Sequence, residues 1–291
     1  MTIALHLCDV FAERPLNGNS LSVIVHEREL DPSLMQSLTR ELRQFETAFL
    51  QPTTDPATFV TRVFDLTREL EFAGHPLLGA AAVLHETIRP SEQASTWRLR
   101  LHARDVSVTT TRRAEGLVHA SMDQGTATFG AIANDEQADR AARAFALAPD
   151  CLAAGFRPQV VSTGLRYLIV PIERGLGDAH VVPSTLIPLL NELNAEFAYL
   201  LDVDNCEGRH WENDGSLEDI ATGSAAGAVG AYLAASGRTT LEEPLVLRQG
   251  RFTGRPSALH VSLHASSGGK RVEVSGPVCV LAHAEIRDDL S

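Results

Sequence analysis

Lysine is almost missing from this chain: Lys270 is the only one in 291 residues. Positive charge as a whole is in the minority, with 25 Lys and Arg against 37 Asp and Glu and a formal net charge of −12. A nucleic acid or an anionic membrane surface is therefore excluded as a partner held by bulk charge. A small acidic ligand is not excluded, because backbone N–H dipoles can build a local anion site in an acidic protein. Cysteine is sparse and scattered, at Cys8, Cys151, Cys206 and Cys279, with no C-x-x-C. That excludes a disulfide scaffold and a thiolate zinc site, and fits a reduced cytoplasmic protein. No apolar run approaches the ~20 residues of a membrane helix. Met1 to Cys8 has neither a basic region nor a long apolar core, so no signal peptide is expected. There is no G-x-S-x-G, no G-x-G-x-x-G after a strand, and Gly215-Ser216-Leu217-Glu218 is no phosphate-binding P-loop. The histidines lack metal-ligand spacing, so no metal is expected. The chemistry left is acid–base work on a small anion, with no cofactor.

What the chain does have is a repeat. Leu70-Glu71-Phe72-Ala73-Gly74-His75-Pro76-Leu77-Leu78-Gly79-Ala80-Ala81 lines up with Glu218-Asp219-Ile220-Ala221-Thr222-Gly223-Ser224-Ala225-Ala226-Gly227-Ala228-Val229. Each half has an acid, a small polar turn and an Ala/Gly-rich helical run. A Gly-rich turn opening a helix presents free N–H groups, which suit an anion. Glu46-Thr47-Ala48-Phe49-Leu50 and Glu196-Phe197-Ala198-Tyr199-Leu200 echo one another at a similar offset. The pair of echoes reads as a duplication, with two halves sharing one small acidic ligand. Each half is a curved sheet around a long helix, and Gly79 and Gly227 allow close sheet contact at equivalent helical positions. The composition shift at Gln124 to Asn134 places the boundary, giving domains 1–124 and 125–291, with the last strand free to return to the first. Helices are expected at Asp31-Pro32 onward, with Leu34, Leu38 and Leu42 on one face, and at 76–86, 135–148, 184–194 and 224–235. Strands are expected over 97–111 and 117–122, among others.

Three side chains stand out. His75 lies between Gly74 and Pro76, and histidine is the side-chain type suited to acid–base work near neutrality; capping its own helix is the alternative. Asp219 sits four residues before Gly223, farther than a helix cap needs, which points to a ligand or proton role. Glu71 is its repeat mate. Glu46 lies between Phe45 and Phe49. Pointing inward, it would have a raised pKa suited to taking and returning a proton. Simple alternation would instead leave it solvated, and the sequence alone favours that.

At these residues the chain resembles the PhzF-like family of phenazine biosynthesis, within the diaminopimelate epimerase-like fold. The resemblance rests on Asp9-Val10-Phe11, Gly18-Asn19, Glu46-Thr47-Ala48-Phe49, Glu71 to Gly79, Ser121-Met122-Asp123-Gln124, Glu218-Asp219, Ala221 to Gly227, Gln249-Gly250 and Gly254-Arg255-Pro256-Ser257. It implies an α+β fold of two pseudo-symmetric domains. Each would be a barrel-like, mostly antiparallel sheet wrapped around a central helix, and the resemblance implies a homodimer. It implies a cofactor-independent isomerase in which Glu46 shuttles a proton between two carbons. His75 and Asp219 would assist, and Asn19, Gly74, Gly223 and Ser224 would bind the substrate, with backbone N–H groups at the last three positions receiving its carboxylate.

Racemases of this fold use a Cys in each Gly turn; the places here are Ala73 and Ala221. That argues against a racemase or epimerase and for a single carboxylate shifting a proton on one face. A non-catalytic metabolite-binding protein is the other alternative, and retention of Glu46, His75 and Asp219 together argues against it. Phe45, Ser20, Ile220 and the segment His210-Trp211-Glu212-Asn213 depart from the family pattern, so the pocket wall differs. The substrates implied are trans-2,3-dihydro-3-hydroxyanthranilate or a 4-alkylproline precursor of lincosamide or pyrrolobenzodiazepine antibiotics. The Ala/Arg-rich, Lys-poor composition suits the high-GC genomes of the second kind of pathway.

Overall fold

The computed structural model describes residues 3–71, 74–113, 116–239, 244–266 and 269–287. It is an α+β structure that divides into two compact units, Met1–Met122 with Ser275–Ser291, and Asp123–Val274. No helix of the described residues is long and apolar enough to cross a membrane.

The first unit runs β1 (Ile3–Val10), β2 (Asn19–His26), α1 (Pro32–Leu42), β3 (Glu46–Pro52), β4 (Thr58–Asp65), β5 (Glu69–Leu70), α2 (Gly74–Ile88), β6 (Ala94–Arg100), β7 (Asp105–Arg112) and β8 (Val118–Thr126). Asp31 caps α1 by accepting from Ser33 N at 2.8 Å, and Pro32 opens the helix with its φ already set. Met35 and Leu38 seat α1 on Ile3, Ile24, Phe49 and Phe64, with Leu34 and Leu42 at the flank. α2 is a different kind of helix. Every residue from Gly74 to His85 is buried, because strands β1, β2, β3, β6 and β7 all pack on it. Gly79 is what lets them close in. A Cβ there would run into the Leu21 side chain and sit 2.9 Å from Val10 Cγ2.

The second unit runs β9 (Thr128–Ile132), α3 (Asp135–Arg143), β10 (Gln159–Ser162), β11 (Arg166–Ile172), α4 (Pro183–Leu193), β12 (Phe197–Asp202), β13 (Glu207–Trp211), β14 (Glu218–Asp219), α5 (Gly223–Ala235), β15 (Leu245–Gln249), β16 (Ser257–Ser266) and β17 (Gly269–Ile286). From Ser275 onward β17 belongs to the first unit, and within that unit its residues Val278 to Ile286 pair with β1. α5 is buried from Ala225 to Leu233, and a Cβ on Gly227 would strike Gln124 Oε1 and lie 3.0 Å from Thr163 Oγ1. The core of this unit gathers α3, α4 and β10 to β12 around Phe145, Leu189 and Trp211.

The second unit repeats the first in the order and sense of its pairings. β1–β2, β3–β4, β4–β5 and β6–β7 are antiparallel, while β2–β3 and β4–β6 are parallel. Their counterparts β10–β11, β12–β13, β13–β14 and β15–β16 are antiparallel, and β11–β12 and β13–β15 parallel. Two features fix the register of the repeat. Arg62 on β4 forks onto Glu69 at 2.7 and 2.6 Å, and Arg209 on β13 forks onto Glu218 at 2.8 and 2.7 Å. Arg62 lies opposite Phe49 and Arg209 opposite Leu200. Helices α1 and α4 both end on a left-handed residue, Arg43 at φ 53° and Asn194 at φ 54°, three positions before Glu46 and Phe197. The counterpart of Glu46 is therefore Phe197, not Glu196. The sequence echo is one residue out of step, and on a strand one residue reverses the face. By the same forks Glu69 matches Glu218, so Asp219 is matched by Leu70, and the exposed Glu71 is not its mate.

Three expected elements differ. The 97–111 strand is two strands, β6 and β7, turned at Leu101–Arg104, where Leu101 N donates to Arg104 O at 3.0 Å. The 135–148 helix stops at Arg143, and Ala146 at φ 56° turns the chain away. β9 lies in the stretch read as having no strand pattern; its five residues are all exposed, so it has no alternation to read.

Candidate active site

In the first unit, β3 and the first turn of α2 bring two of the expected residues together. Glu46 opens β3, paired with Leu21 on one side and Asp65 on the other. His75 is the second residue of α2. Its Nε2 lies 3.4 Å from Glu46 Oε2, and the two side chains are only 7% and 10% exposed. The solvated alternative for Glu46 is thus not the one realised. Gly74, which starts α2 and directly precedes His75, is buried too. Asn19 opens β2 and is fully buried, opposite Val10 on β1. The turn before it is tight. Asp9 accepts from Leu16 N at 2.7 Å, and Gly18 at φ 67° has no room for a Cβ against Val10 O. Phe72 and Ala73 lie outside the described residues, so of the two thiol positions only Ala221 is described; it is buried.

In the second unit, Asp219 is part of a folded turn. Its Oδ2 accepts from Thr222 Oγ1 at 2.7 Å and its Oδ1 from Ala221 N at 3.3 Å. Gln249 on β15 clamps the same turn. Its Nε2 donates to Asp219 O at 2.8 Å and to Thr222 Oγ1 at 3.0 Å, and its Oε1 accepts from Thr222 N at 3.1 Å and Tyr199 OH at 2.9 Å. The turn leads into Gly223 and Ser224, the first two residues of α5. Gly223 O accepts from Gln124 Nε2 at 2.9 Å, and Ser224 Oγ lies 2.7 Å from Tyr167 OH. α5 has no side-chain cap at Thr222, so its first N–H groups are not taken up by one.

Gln249 and Tyr167 were not among the residues singled out for a role. Gln249-Gly250 belongs to the family-like motifs, but no charge or reactivity marks a Gln as a clamp. Tyr167 has no sequence signal at all; only the packing of α5 on β11 puts it beside the start of that helix. The segment His210-Trp211, expected to reshape the pocket wall, is part of β13. There His210 Nδ1 bonds Ala198 O at 2.9 Å, and its ring meets Tyr167 and Phe197 edge-on at 5.6 and 5.7 Å. Among the described residues no group of acids, histidines and cysteines is placed to hold a metal ion.

The chain is similar over nearly its whole length to known proteins. The family model for phenazine biosynthesis-like proteins, PhzC-PhzF, matches residues 8–284. The trans-2,3-dihydro-3-hydroxyanthranilate isomerase of Pseudomonas aeruginosa is 31% identical over 287 residues, covering 92% of this chain and 93% of that one. A solved structure from Pseudomonas aeruginosa, titled a predicted epimerase, is 48% identical with a TM-score of 0.88, covering 98% of this chain and 99% of that one. A probable proline racemase from Agrobacterium radiobacter shares the fold at a TM-score of 0.64 and 14% identity, covering 99% of this chain and 94% of that one. With its two repeated α+β units, its matched motifs and relatives named as isomerases, this chain belongs to the PhzF family of isomerases.

Proposed function

We propose that the protein moves a proton, and with it a C=C bond, on a small unsaturated cyclic amino or carboxylic acid, without a cofactor. The observation that carries this reading is the buried Glu46–His75 pair at the N-terminus of α2. Glu46 as carboxylate takes a proton from one carbon of the substrate, and the electron pair left behind delocalises through the conjugated system. The protonated Glu46 then returns that proton to a second carbon, and the double bond has moved. One base on one face suffices. His75, 3.4 Å away, orients the Glu46 carboxylate and steadies its charge. In the second unit the substrate carboxylate is received by backbone N–H groups at Gly223 and Ser224, where the N-terminus of α5 favours negative charge, and Gly74 holds the corresponding place at the start of α2 in the first unit. Asn19 contributes a binding amide. Asp219 serves by holding the turn ahead of α5 through Thr222 and Ala221.

The relatives' name makes trans-2,3-dihydro-3-hydroxyanthranilate the first substrate to try, and a 4-alkylproline precursor of an antibiotic pathway the second. Racemisation is the less favoured reading, because Ala221 offers no base where a thiol is needed. The test is solvent deuterium incorporation followed by NMR. Glu46→Gln keeps the shape of the side chain and removes the base, so it should bind substrate and lose at least about a thousandfold in exchange rate. Full exchange by that variant would overturn the assignment of Glu46.

A further inference from the structure

Tyr167 stands on β11 at the place that Leu21 holds on β2, since the two face Phe197 and Glu46 respectively across a parallel pairing. An apolar residue in one unit is thus a phenol in the other. The ring is 2% exposed. It is stacked on Phe197 at 5.5 Å and 29° and meets the His210 ring at 5.6 Å, so it has one position. Its hydroxyl hydrogen-bonds Ser224 Oγ at 2.7 Å. Ser224 itself is half-buried at the start of α5.

We propose that Tyr167 is a positioning residue for substrate binding: its phenol holds the Ser224 hydroxyl so that Ser224 turns its own proton toward the substrate carboxylate. The inference rests on the reading of Ser224 as a carboxylate-binding residue. Burial raises the Tyr167 phenol well above the ordinary tyrosine range, an effect that the Ser224 bond reduces and the nearby carboxylate of Asp219 increases. Either hydroxyl could donate across this contact, but Ser224 Oγ is the one hydrogen-bond partner of the phenol among the described residues, so only a phenol that donates to Ser224 has its buried proton satisfied. A hydroxyl that receives a hydrogen bond at oxygen must send its own proton elsewhere. Ser224 becomes a fixed donor beside the first N–H groups of α5, which suit the same anion. Without the phenol, the serine rotor is free to turn its proton toward a backbone carbonyl.

The experiment uses anthranilate and anthranilamide, which share a ring and differ in the carboxylate, with binding measured by calorimetry on the whole chain. Tyr167→Phe should weaken anthranilate by about tenfold, the value of one charge-assisted hydrogen bond, and leave anthranilamide unchanged. Ser224→Ala should weaken anthranilate similarly, and the double variant should be no worse than Ser224→Ala alone. The thermal midpoint of Tyr167→Phe should stay within about 2 °C of the parent, as only an oxygen is removed. Equal weakening of both ligands, additive losses, or a parent protein that does not prefer anthranilate would overturn the proposal. A Glu46→Gln protein that still exchanges deuterium would overturn the assignment of Glu46 and leave the Tyr167 result standing.

Discussion

Both ends of the Gln249 amide are committed, and all of its partners belong to the approach to α5. One oxygen serves Thr222 N and Tyr199 OH; one nitrogen serves Asp219 O and Thr222 Oγ1. With the residue 1% exposed, no solvent can stand in for it. Gln249→Leu keeps the volume and strands the Thr222 N–H and the Tyr199 O–H. The expected loss is about 2–4 kcal/mol in urea unfolding, since buried donors are being orphaned rather than a net-neutral bond exchanged. A change under about 0.5 kcal/mol would mean the turn re-forms without its clamp. Asp219 takes its meaning from the same network. Its spacing ahead of the helix suggested direct contact with a ligand, and its carboxylate oxygens also accept from Thr222 and Ala221, which ties it to the turn. Glu46 and His75 show the opposite: two residues from distant parts of the chain meet at 3.4 Å out of solvent. A shared buried position of that kind cannot be read from either local pattern.

At the scale of elements, the two inner helices depend on glycine where strands press closest. Ala at Gly79 would gain about 1 kcal/mol of helix propensity. Against that, its Cβ would overlap the Leu21 side chain and crowd Val10 Cγ2 and Cys8 Sγ at 2.9 and 3.1 Å. Three side chains on two strands cannot all yield, so Gly79→Ala is expected to be net destabilising by about 1–2 kcal/mol in urea unfolding. A stabilised variant would show that β1 and β2 give way. The close approach at Gly79 and Gly227 was legible beforehand, because Gly inside an Ala-rich helical run has a packing reason. So was the start of α1, because Asp31-Pro32 carries its own capping chemistry. The strand echo was legible as a repeat but not in register. Glu46 and Glu196 share a letter, while the backbone equates Glu46 with Phe197, and Glu196 sits half-exposed where its carboxylate accepts from Arg166 N at 2.9 Å. Pairing partners, not neighbours along the chain, set strand register. β9 was illegible for a related reason: it is held by pairing to β10 and buries none of its side chains.

For the molecule as a whole, the duplication preserves the frame and not the chemistry. The Arg62–Glu69 and Arg209–Glu218 forks occur in both units, while the acid at Glu46 is replaced by the ring of Phe197. The chain then closes by pairing its last strand with its first, and this closure carries a titratable pair. His6 on β1 lies opposite His283 on β17, with the rings stacked at 6.3 Å. Burial, and secondarily the charge of His283, pull the His6 pKa below 6.5. His26 on β2 is lowered as well, mainly by burial. A histidine with a depressed folded pKa gives stability that is whole above about pH 6.5 and is lost as pH falls through the folded value. Glu86 opposes this trend. Burial raises its carboxyl, so its contribution is present at acid pH and fades as pH rises. Glu69, lowered by its hydrogen bonds with Arg62, adds a loss only below the carboxylate range. Urea midpoints should therefore fall from about pH 7 to about pH 5. His6→Gln, which cannot gain the proton, should flatten that fall while leaving the neutral midpoint close to the parent's. An identical slope in His6→Gln would remove the closing strand pair from the account and place the acid sensitivity elsewhere.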